Sequence, residues 1–432
     1  MTQRYDTYKD SGVQWLGEIL GHWGGVRLKY ITSKIGSGST PTGGADVYQD
    51  HGVIFLRSQN IYNYGLELVD VAYISEDIHQ EMKGTHVHSG DILYNITGGS
   101  IGRCCLAPES LGEANVNQHV SIVRPRNVEN KFLLYSLQSE YCQTQMRFLQ
   151  TGGNREGLSA TAFKLFNVAL PPLSEQRSIV SYLDAKCGKI DEWVTKKQKE
   201  VEHLQELKQR VITDAVTRGL NPYVKMKTTN IPWLKEIPEH WEALRAKHMF
   251  NKEQRPVEEG DEIVTCFRDG EVTLRKNRRT TGFTEATDFS HYQHICKGDL
   301  VIHQMDAFAG SAGVSDSDGM GTPVLSVCTP KSNNILNEYY AHIVRLMGKN
   351  GFILSLYRGI RERSSDFRFD TFANLWLPVP PIEEQKQIVA HIKDKISKID
   401  KLIANINKEI EGIKEYKQRL ISDVVTGQIK VN

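Results

Sequence analysis

Residues 170–180 read LPPLSEQRSIV, and residues 379–389 read VPPIEEQKQIV. From these starts the two stretches stay aligned without a gap. They finish as KQRVITDAVTRGL at residue 220 and as KQRLISDVVTGQI at residue 429. Of the 51 aligned positions, 21 are identical. Internal repetition of this strength indicates a duplicated chain, so the two halves are expected to share one architecture.

A second repeated motif lies upstream of each stretch. Residues 8–31 read YKDSGVQWLGEILGHWGGVRLKYI, and residues 226–249 read MKTTNIPWLKEIPEHWEALRAKHM. The tryptophan-leucine pair, the glutamate-isoleucine pair and the histidine-tryptophan pair recur in the same order. The regions between the repeats share little identity. The sequence therefore indicates two copies of a conserved frame, each carrying a divergent insert.

Each proline pair is followed by acidic and small polar residues, which is typical of a helix start. Apolar residues then recur at steps of three, four or seven, as in a coiled-coil seam. The first copy has Ile190, Val194, Val201, Leu204, Val211 and Ala215; the second has Ile392, Ile396, Ile399, Ile403, Ile406, Ile410, Ile413, Leu420 and Val424. We expect two helices of about 44 residues, roughly 66 Å each.

The short connection from residue 218 to residue 228 favours antiparallel pairing of the two helices and a pseudo-two-fold arrangement. Lys208 and Lys417 occupy the same seam position in the two copies. Two interpretations remain open for them. The lysine stems pack in the seam while their ammonium groups reach water, or the lysines are polar positions that set the register of the pair.

The regions outside the helices are typical of mixed helix and strand. Strands are expected at 53–56, 91–94 and 120–123, and at 263–267, 299–302 and 324–327. The segments GDILYNITGGSIG (90–102) and GDLVIHQMDAFAGSAG (298–313) occupy matching places. One amphipathic helix is expected over 131–149 and one over 337–357. The predicted fold is α/β (α+β), with globular domains at 1–170 and 221–379 and helical segments at 171–220 and 380–432.

Composition and motifs argue against several classes of protein. No apolar run is long enough to span a membrane, and the polar N-terminus is unlike a signal peptide, so a cytoplasmic protein is expected. The seven cysteines are scattered without a CxxC pair, which predicts reduced thiols. There is no GxxxxGK[ST] phosphate loop and no GxGxxG turn. His86/His88 and His291/His294 show no acidic or cysteine companions in sequence, so no metal site and no cofactor are expected in this chain.

Polar residues in the inserts remain as candidates for function. Arginine, asparagine and glutamine are the side chains that reach base edges with two hydrogen bonds, and basic runs suit phosphates. The candidate DNA-contacting residues of the first insert are Arg57, Gln59, Asn60, Asn95, Thr97, Arg103, Asn117, Gln118, Asn154 and Arg155. Those of the second insert are Arg268, Arg275, Lys276, Arg278, Arg279, His303, Gln304, Arg358, Arg361 and Arg363.

Together these features resemble, over the whole chain, the specificity (S) subunit of type I restriction–modification systems. The matching segments are the duplicated WLGEI…HW motif, IGSGSTP (35–41), FLRSQNI (55–61) and the two helices that begin with PP-x-x-EQ. The resemblance implies two target recognition domains joined by an antiparallel coiled coil. It also implies two methyltransferase (M) subunits that carry S-adenosylmethionine, and restriction (R) subunits that use ATP and Mg²⁺.

The resemblance predicts that this chain reads DNA without catalysing a reaction. Because the two inserts differ in sequence, the target is expected to be bipartite and asymmetric, and the helices would set its gap. The net charge of only +1 suggests that M subunits supply part of the phosphate contacts. Two other classes remain open: a coiled-coil scaffold whose ends bind proteins, and a stand-alone nuclease or methyltransferase, for which we find no catalytic residues.

Overall fold

The structure is a computed structural model that describes residues 5–150, 157–278, 281, 289–356 and 367–431. The chain divides into two compact units, Met1–Gln198 with Asn407–Asn432, and Lys199–Ile406. These units differ from the four segments drawn from the sequence. Each unit contains one globular domain together with parts of both long helices, because the helix ends pack into the domain cores.

The first unit is built from thirteen strands and four short helices in its described part. The strands are β1 Tyr8–Asp10, β2 Glu18–Leu20, β3 Gly24–Arg27, β4 Thr32–Ser37, β5 Val53–Leu56, β6 Ile61–Tyr62, β7 Gly65–Leu66, β8 Ala72–Ile74, β9 Ile92–Asn95, β10 Cys104–Leu106, β11 Ala114–Val116, β12 Val120–Pro125 and β13 Asn167–Leu170. The helices are α1 Glu76–Glu81, α2 Asn130–Gln138, α3 Glu140–Leu149 and α4 Ala160–Phe163. The first long helix, α5, runs over Leu173–Arg218.

The described part of the second unit repeats much of this order. Its strands are β14 Met226–Ile231, β15 Leu234–Pro238, β16 Glu242–Arg245, β17 Phe250–Glu253, β18 Val264–Cys266, β19 Val272–Leu274, β20 Gln293–Ile295, β21 Leu300–His303, β22 Ala312–Val314, β23 Gly319–Gly321, β24 Leu325–Pro330 and β25 Trp376–Val379. Its helices are α6 Asn337–Lys349, α7 Phe352–Ser355 and α8 Phe369–Ala373. The second long helix, α9, runs over Ile382–Val425.

Both units contain the same four-stranded antiparallel sheet. Its order is β10-β9-β12-β4 in the first unit and β22-β21-β24-β17 in the second, so corresponding strands occupy corresponding places. Each sheet packs against the helix that follows its last strand, through residues such as Phe132 in the first core and Tyr340 in the second. All six predicted strands are present, with ends shifted by up to three residues.

The two amphipathic helices expected over 131–149 and 337–357 are each broken, which corrects the prediction. The first is split into α2 and α3 at Ser139, whose backbone is extended with ψ 154°. The second is split into α6 and α7 at Asn350 and Gly351, and Gly351 adopts φ +79°. The hydrophobic periodicity continues across both breaks, and for that reason the sequence did not reveal them.

The long helices confirm the predicted lengths and seam. Helix α5 has 46 residues and α9 has 44. In the second copy the seam residues Ile392, Ile399, Ile406, Ile410, Leu420 and Val424 are buried, and Ile396, Ile403 and Ile413 are partly buried. In the first copy Ala215 is buried, and Ile190, Val194, Val201, Leu204 and Val211 are partly buried. The periodic positions therefore face protein along both helices.

Ion pairs join the two long helices within each unit, and in the first unit the pairs Asp191–Lys417 and Lys197–Glu409 show that the helices run antiparallel. In the second unit, Lys208 Nζ lies 2.6 Å from Asp400 Oδ1. In the first unit, Lys417 Nζ lies 2.7 Å from both carboxylate oxygens of Asp191. The two lysines thus reach a carboxylate on the other helix, a contact that fits both interpretations of these positions.

The repeated histidine-tryptophan motif holds the start of each long helix. In the first unit, Trp23 Nε1 donates to Glu175 Oε2 at 2.9 Å, and His22 Nε2 lies 2.8 Å from Glu175 Oε1. The glutamate lies in the first turn of α5, where a negative charge is favourable. The indole is buried, so this carboxylate satisfies a hydrogen-bond donor that water could not reach.

The second unit repeats the same arrangement at the start of α9. Trp241 Nε1 donates to Glu384 Oε2 at 3.0 Å, and His240 Nε2 lies 2.8 Å from the same oxygen. We call these two arrangements the tryptophan–glutamate clamps. They explain why two motifs that are far apart in sequence recur together in both copies.

The glutamine that follows each clamp glutamate ties the helix start to the globular domain. Gln176 Oε1 accepts from the backbone N–H of Glu129, just before α2, and its Nε2 donates to the carbonyl of Pro171. Gln385 makes the equivalent bonds to the N–H of Leu336 and the carbonyl of Pro380. Both glutamines are buried, so the repeated Glu-Gln pair has a structural role in each unit.

Candidate nucleic-acid interface

Four loops of the first unit meet at one end of its sheets. They follow β4, β5, β9 and β11, and β5 and β11 end together because they are parallel neighbours, with Val116 opposite Leu56. Hydrogen bonds join the loops: Asn95 Nδ2 donates to the carbonyl of Ser58 at 2.8 Å, and Thr40 Oγ1 donates to Gln118 Oε1 at 2.7 Å. We call residues 37–40, 57–64, 95–103 and 116–119 the first loop surface.

Glycine allows two of these loops to approach each other closely. A Cβ atom on Gly38 would lie 1.9 Å from the carbonyl oxygen of Val116 and 2.4 Å from that of Asn117. No side chain fits at that position without moving backbone. The glycine-rich segment 35–41 is therefore explained by contact between two loops of the surface.

Several predicted DNA-contacting residues are exposed on the first loop surface. Gln59, Arg103 and Gln118 are exposed, and Thr97 is partly buried with its hydroxyl 2.7 Å from His119 Nδ1. The Arg103 guanidinium lies over the ring of Tyr62, 4.9 Å from its centroid. These residues come from three different loops, so the fold places polar groups that are distant in sequence on one surface.

An aromatic pair on the same surface was not anticipated from the sequence. The rings of Tyr62 and Tyr64 stack with centroids 5.0 Å apart, and Tyr64 is 75% exposed. Exposed aromatic faces can stack on bases or support a cation. The signal was the segment YNYG at 62–65, which directly follows the FLRSQNI motif.

Other predicted residues of the first unit have structural roles instead. Asn60, Asn95 and Asn117 are buried. Asn60 Oδ1 accepts from the N–H of Arg57, and its Nδ2 donates to the carbonyl of Glu67. Arg57 is itself partly buried, with one guanidinium nitrogen bonded to the carbonyl of Asp70. The three asparagines are buried within the loops, so a contact with DNA, which stays a prediction, would need these loops to open.

The second unit places several of its candidate residues in ion pairs. Arg268 donates to Asp306 at 2.9 Å, which joins the loop after β18 to the loop after β21. Arg278 lies 2.7 Å from Asp269 and 2.8 Å from Glu271, with its guanidinium over the ring of Phe267. The basic run predicted to hold phosphates therefore has acidic partners.

The remaining described candidates of this unit also have partners. Lys276 Nζ lies 2.5 Å from Glu262, and Arg275 is partly buried near the hydroxyl of Thr265. Gln304 Nε2 lies 3.3 Å from both the carbonyl of Pro323 and the hydroxyl of Ser326. These contacts hold the loops in place. The charge of Lys276 stays at the surface, because its side chain is exposed.

The contacts of His303 distinguish its two ring nitrogens. Burial lowers the pKa of His303, and Nδ1 accepts from the backbone N–H of Asp306 at 3.1 Å. Its other nitrogen, Nε2, therefore carries the hydrogen and is the ring's donor. The predicted residues Asn154, Arg155, Arg279, Arg358, Arg361 and Arg363 lie outside the described residues.

Comparison with known families identifies the frame that carries these surfaces. The family model for the type I restriction modification DNA specificity domain matches residues 22–203 and 276–412, which is more than half of the chain. The chain belongs to this family of DNA specificity subunits. The two matched regions include large parts of both globular domains and of both long helices.

Known specificity subunits are similar to the chain over most of its length. The chain is 23% identical over 434 residues to the putative type I restriction enzyme MjaX specificity subunit of Methanocaldococcus jannaschii, with 96% of each protein covered. It is 19% identical to the type I restriction enzyme EcoKI specificity subunit of Escherichia coli, covering 87% of this chain and 82% of the relative. The family prediction made from the residues is confirmed.

A solved structure shares the fold of this specificity subunit. That work is described as the structural basis of complex assembly and conformational transition of the type I R-M system. One of its chains superposes with a TM-score of 0.68 at 15% identity, covering 95% of this chain and 99% of the other. Within the described residues of this chain, none of the helices combines the length and apolar character that crossing a bilayer requires.

Proposed function

We propose that this specificity subunit reads DNA through two target recognition domains, 1–170 and 221–379, each of which contacts one half of a bipartite target. The observation that carries the proposal is the pair of equivalent four-stranded sheets with different loop side chains. An aromatic and amide surface in the first domain and an ion-paired surface in the second predict two different half-sites.

The first loop surface supplies groups suited to base contact. Gln59 and Gln118 present exposed amides, which match the donor and acceptor pair of adenine in the major groove. Arg103 lies over Tyr62 at the surface, where its guanidinium can reach a guanine edge or a phosphate. The stacked tyrosines offer an apolar face to a base or a sugar.

The second surface would exchange its ion pairs for phosphates. Arg268 is 68% exposed and Lys276 is 61% exposed, and surface ion pairs of this kind contribute only about 0–1 kcal/mol. A phosphate can therefore replace Asp306 or Glu262 at small cost. The acids would also repel DNA that is placed incorrectly, which favours specificity over affinity.

The proposal extends to partners and chemistry. The subunit carries no catalytic cofactor and is not itself an enzyme. Two M subunits with S-adenosylmethionine would methylate adenine, and R subunits using ATP and Mg²⁺ would restrict unmodified DNA. The names of the related proteins and the net charge of +1 support shared DNA binding, because phosphate contacts normally require a basic excess.

Methylation mapping tests the proposal. The chain is co-expressed with the methyltransferase of its genomic neighbourhood in a host without adenine methylation, and methylated adenines are located by long-read sequencing. We expect a two-part motif with a fixed gap that disappears when this chain is omitted. Methylation that is unchanged without this chain would overturn the proposal. A complex that assembles with this chain but methylates no adenine would also overturn the proposal.

Arg103→Ala tests the first loop surface when the binding of the assembled complex to target DNA is measured by titration. We expect the complex to bind its target at least about tenfold more weakly, as is typical when an arginine contact is lost. Arg126→Ala is the matched control, because Arg126 is exposed just after β12, at the opposite end of that strand from the loop surface. Equal binding by the two variants would show that Arg103 does not contact DNA.

The long helices are proposed to set the gap between half-sites. Because α5 is one continuous helix, inserting four residues in its exposed middle would lengthen it by about 6 Å. At 3.4 Å per base pair this corresponds to less than about two base pairs of added gap. An insertion variant that methylates the unchanged motif would contradict this part of the proposal.

A further inference from the structure

A histidine, a cysteine and an aspartate that the sequence did not connect lie together in the second recognition domain. Candidate ligand atoms of His294, Cys296 and Asp318 lie within 4.8 Å of one another. The sequence suggested that His294 has no acidic or cysteine companion, and the structure corrects this. None of the three residues belongs to the surface proposed to contact DNA.

Strand pairing explains why these residues meet. Strands β20 and β23 are antiparallel, with Ile295 opposite Gly319, so the next pair outward is Cys296 and Asp318. His294 lies two residues before Cys296 and therefore points to the same face of the strand. The register alone thus places a thiol, a carboxylate and an imidazole on one face at the end of a two-stranded sheet.

A second carboxylate orients the imidazole. Asp261 Oδ2 lies 2.9 Å from His294 Nδ1 and also accepts from the N–H of Glu258. The side chains of Asp261 and His294 are 8% and 7% exposed. Metal-binding histidines usually donate their second nitrogen to a carboxylate in this way, which fixes the ring and strengthens its other nitrogen as a ligand. Nε2 of His294 is therefore the nitrogen that can bind a metal ion.

The surrounding charges suit a cation. Glu258 Oε1 lies 4.0 Å from His294 Nε2, which makes it a candidate fourth ligand. The nearby cation Arg255 is paired with Asp299 at 2.6 Å, so its charge is largely compensated. Asp318 is exposed and Cys296 is partly buried, so an ion can enter from solvent.

We propose that His294, Cys296 and Asp318 bind one divalent transition-metal ion of the zinc class, with Glu258 or water as the fourth ligand. Nitrogen, thiolate and carboxylate donors are the set that tetrahedral Zn²⁺ accepts, and the thiolate disfavours Mg²⁺ and Ca²⁺. Binding releases the thiol proton of Cys296 to solvent. The ion would join β20, β23 and the turn at 258–261, and so stiffen the domain.

Metal binding by the full-length chain tests the proposal directly. The chain is purified without metal, reduced, and titrated with Zn²⁺ and separately with Co²⁺, whose absorption reports tetrahedral geometry and a bound thiolate. We expect one equivalent of ion, a cobalt–thiolate charge-transfer band, and a thermal transition that rises with zinc. The absence of a stoichiometric ion or of the thiolate band would overturn the proposal.

Matched variants locate the site. Cys296→Ser should remove the thiolate band, and Asp318→Asn should weaken binding by more than tenfold; both positions are near the surface, so the fold is expected to survive. Asp261→Asn should keep one equivalent but weaken binding by about 10–100-fold, as for other carboxylates behind a metal ligand. His291→Gln and Asp316→Asn are exposed neighbours that should bind normally. A thiolate band retained in Cys296→Ser would overturn the assignment.

Discussion

Replacing the clamp carboxylate Glu384 with glutamine is the most direct test of how the duplicated frame holds together. Glu384→Gln keeps the size of the side chain and one acceptor oxygen but removes the charge that receives Trp241 Nε1 at 3.0 Å and His240 Nε2 at 2.8 Å. The indole is fully buried and the glutamate side chain is 21% exposed. The lost bonds are therefore partly screened from water.

The expected cost follows from these contacts. A hydrogen bond to a charged group contributes about 1.5–3 kcal/mol, of which the glutamine oxygen retains a part. The negative charge in the first turn of α9 adds about 0.3–1 kcal/mol. We expect Glu384→Gln to lower the free energy of unfolding by about 1–2 kcal/mol.

Glu383→Gln provides a matched control one residue away. Glu383 lies in the same helix turn, but its side chain is 74% exposed and pairs with Lys386. Its replacement should cost below about 1 kcal/mol, because only the helix-end effect and a surface ion pair are lost. The free energy of unfolding is measured in urea for the full chain and for both variants. A double-mutant cycle that combines Glu384→Gln with Trp241→Phe then gives the interaction energy of the clamp. Equal midpoints for the two glutamine variants would refute the reasoning.

Three further predictions concern the seam, the loop surface and acid stability. Lys417→Glu should destabilise the chain by about 1 kcal/mol, because two negative charges then face each other at Asp191. Adding Asp191→Lys reverses the pair and should restore the urea midpoint. A midpoint that is not restored would contradict a register role. Gly38→Ala should cost about 1–3 kcal/mol in thermal unfolding and weaken target methylation, whereas Gly36→Ala, with open space around its Cβ, should behave as wild type. Burial lowers the pKa of His342 in the folded chain from 6.5 to about 4. Between these values the unfolded chain binds the proton more readily than the folded chain does, so the free energy of unfolding falls as the pH drops from 6.5 toward 4. His342→Gln should therefore flatten the acid side of the stability profile, and parallel profiles would contradict the assignment.

The spacing of apolar residues predicted the long helices and the sheet strands well, because these elements bury side chains at regular intervals. The seam spacing identified both long helices to within a few residues, and alternating apolar segments located the sheet strands. The break at Ser139 could not be predicted in this way. There the N–H of Glu140 is satisfied by the hydroxyl of Ser422, and Gln418 donates to the carbonyl of Gln138. The partners that cap both sides of the break come from the distant end of the chain.

The candidate interface was harder to predict because polar loop residues have two possible orientations. Asn60 and Gln59 are neighbours in one motif, yet Asn60 is 1% exposed and Gln59 is exposed. The 3-10 turn over Ser58–Asn60 decides which amide faces inward. Residue type indicated that this loop is polar, but only the fold separates the residues that build it from those that can contact DNA.

The duplicated frame contains two kinds of repeated contact, and they constrain the sequence differently. Each tryptophan–glutamate clamp joins two residues of the same copy, Trp23 with Glu175 in the first. Each seam ion pair instead takes its lysine from one copy and its aspartate from the other. In an antiparallel pair of equivalent helices, a contact between Lys208 and Asp400 requires the counterpart between Lys417 and Asp191, and both are present. A substitution at one of these positions therefore breaks one ion pair and leaves the equivalent pair intact. Each helix supplies the lysine of one pair and the aspartate of the other, which accounts for the identity of the two helices at these sites.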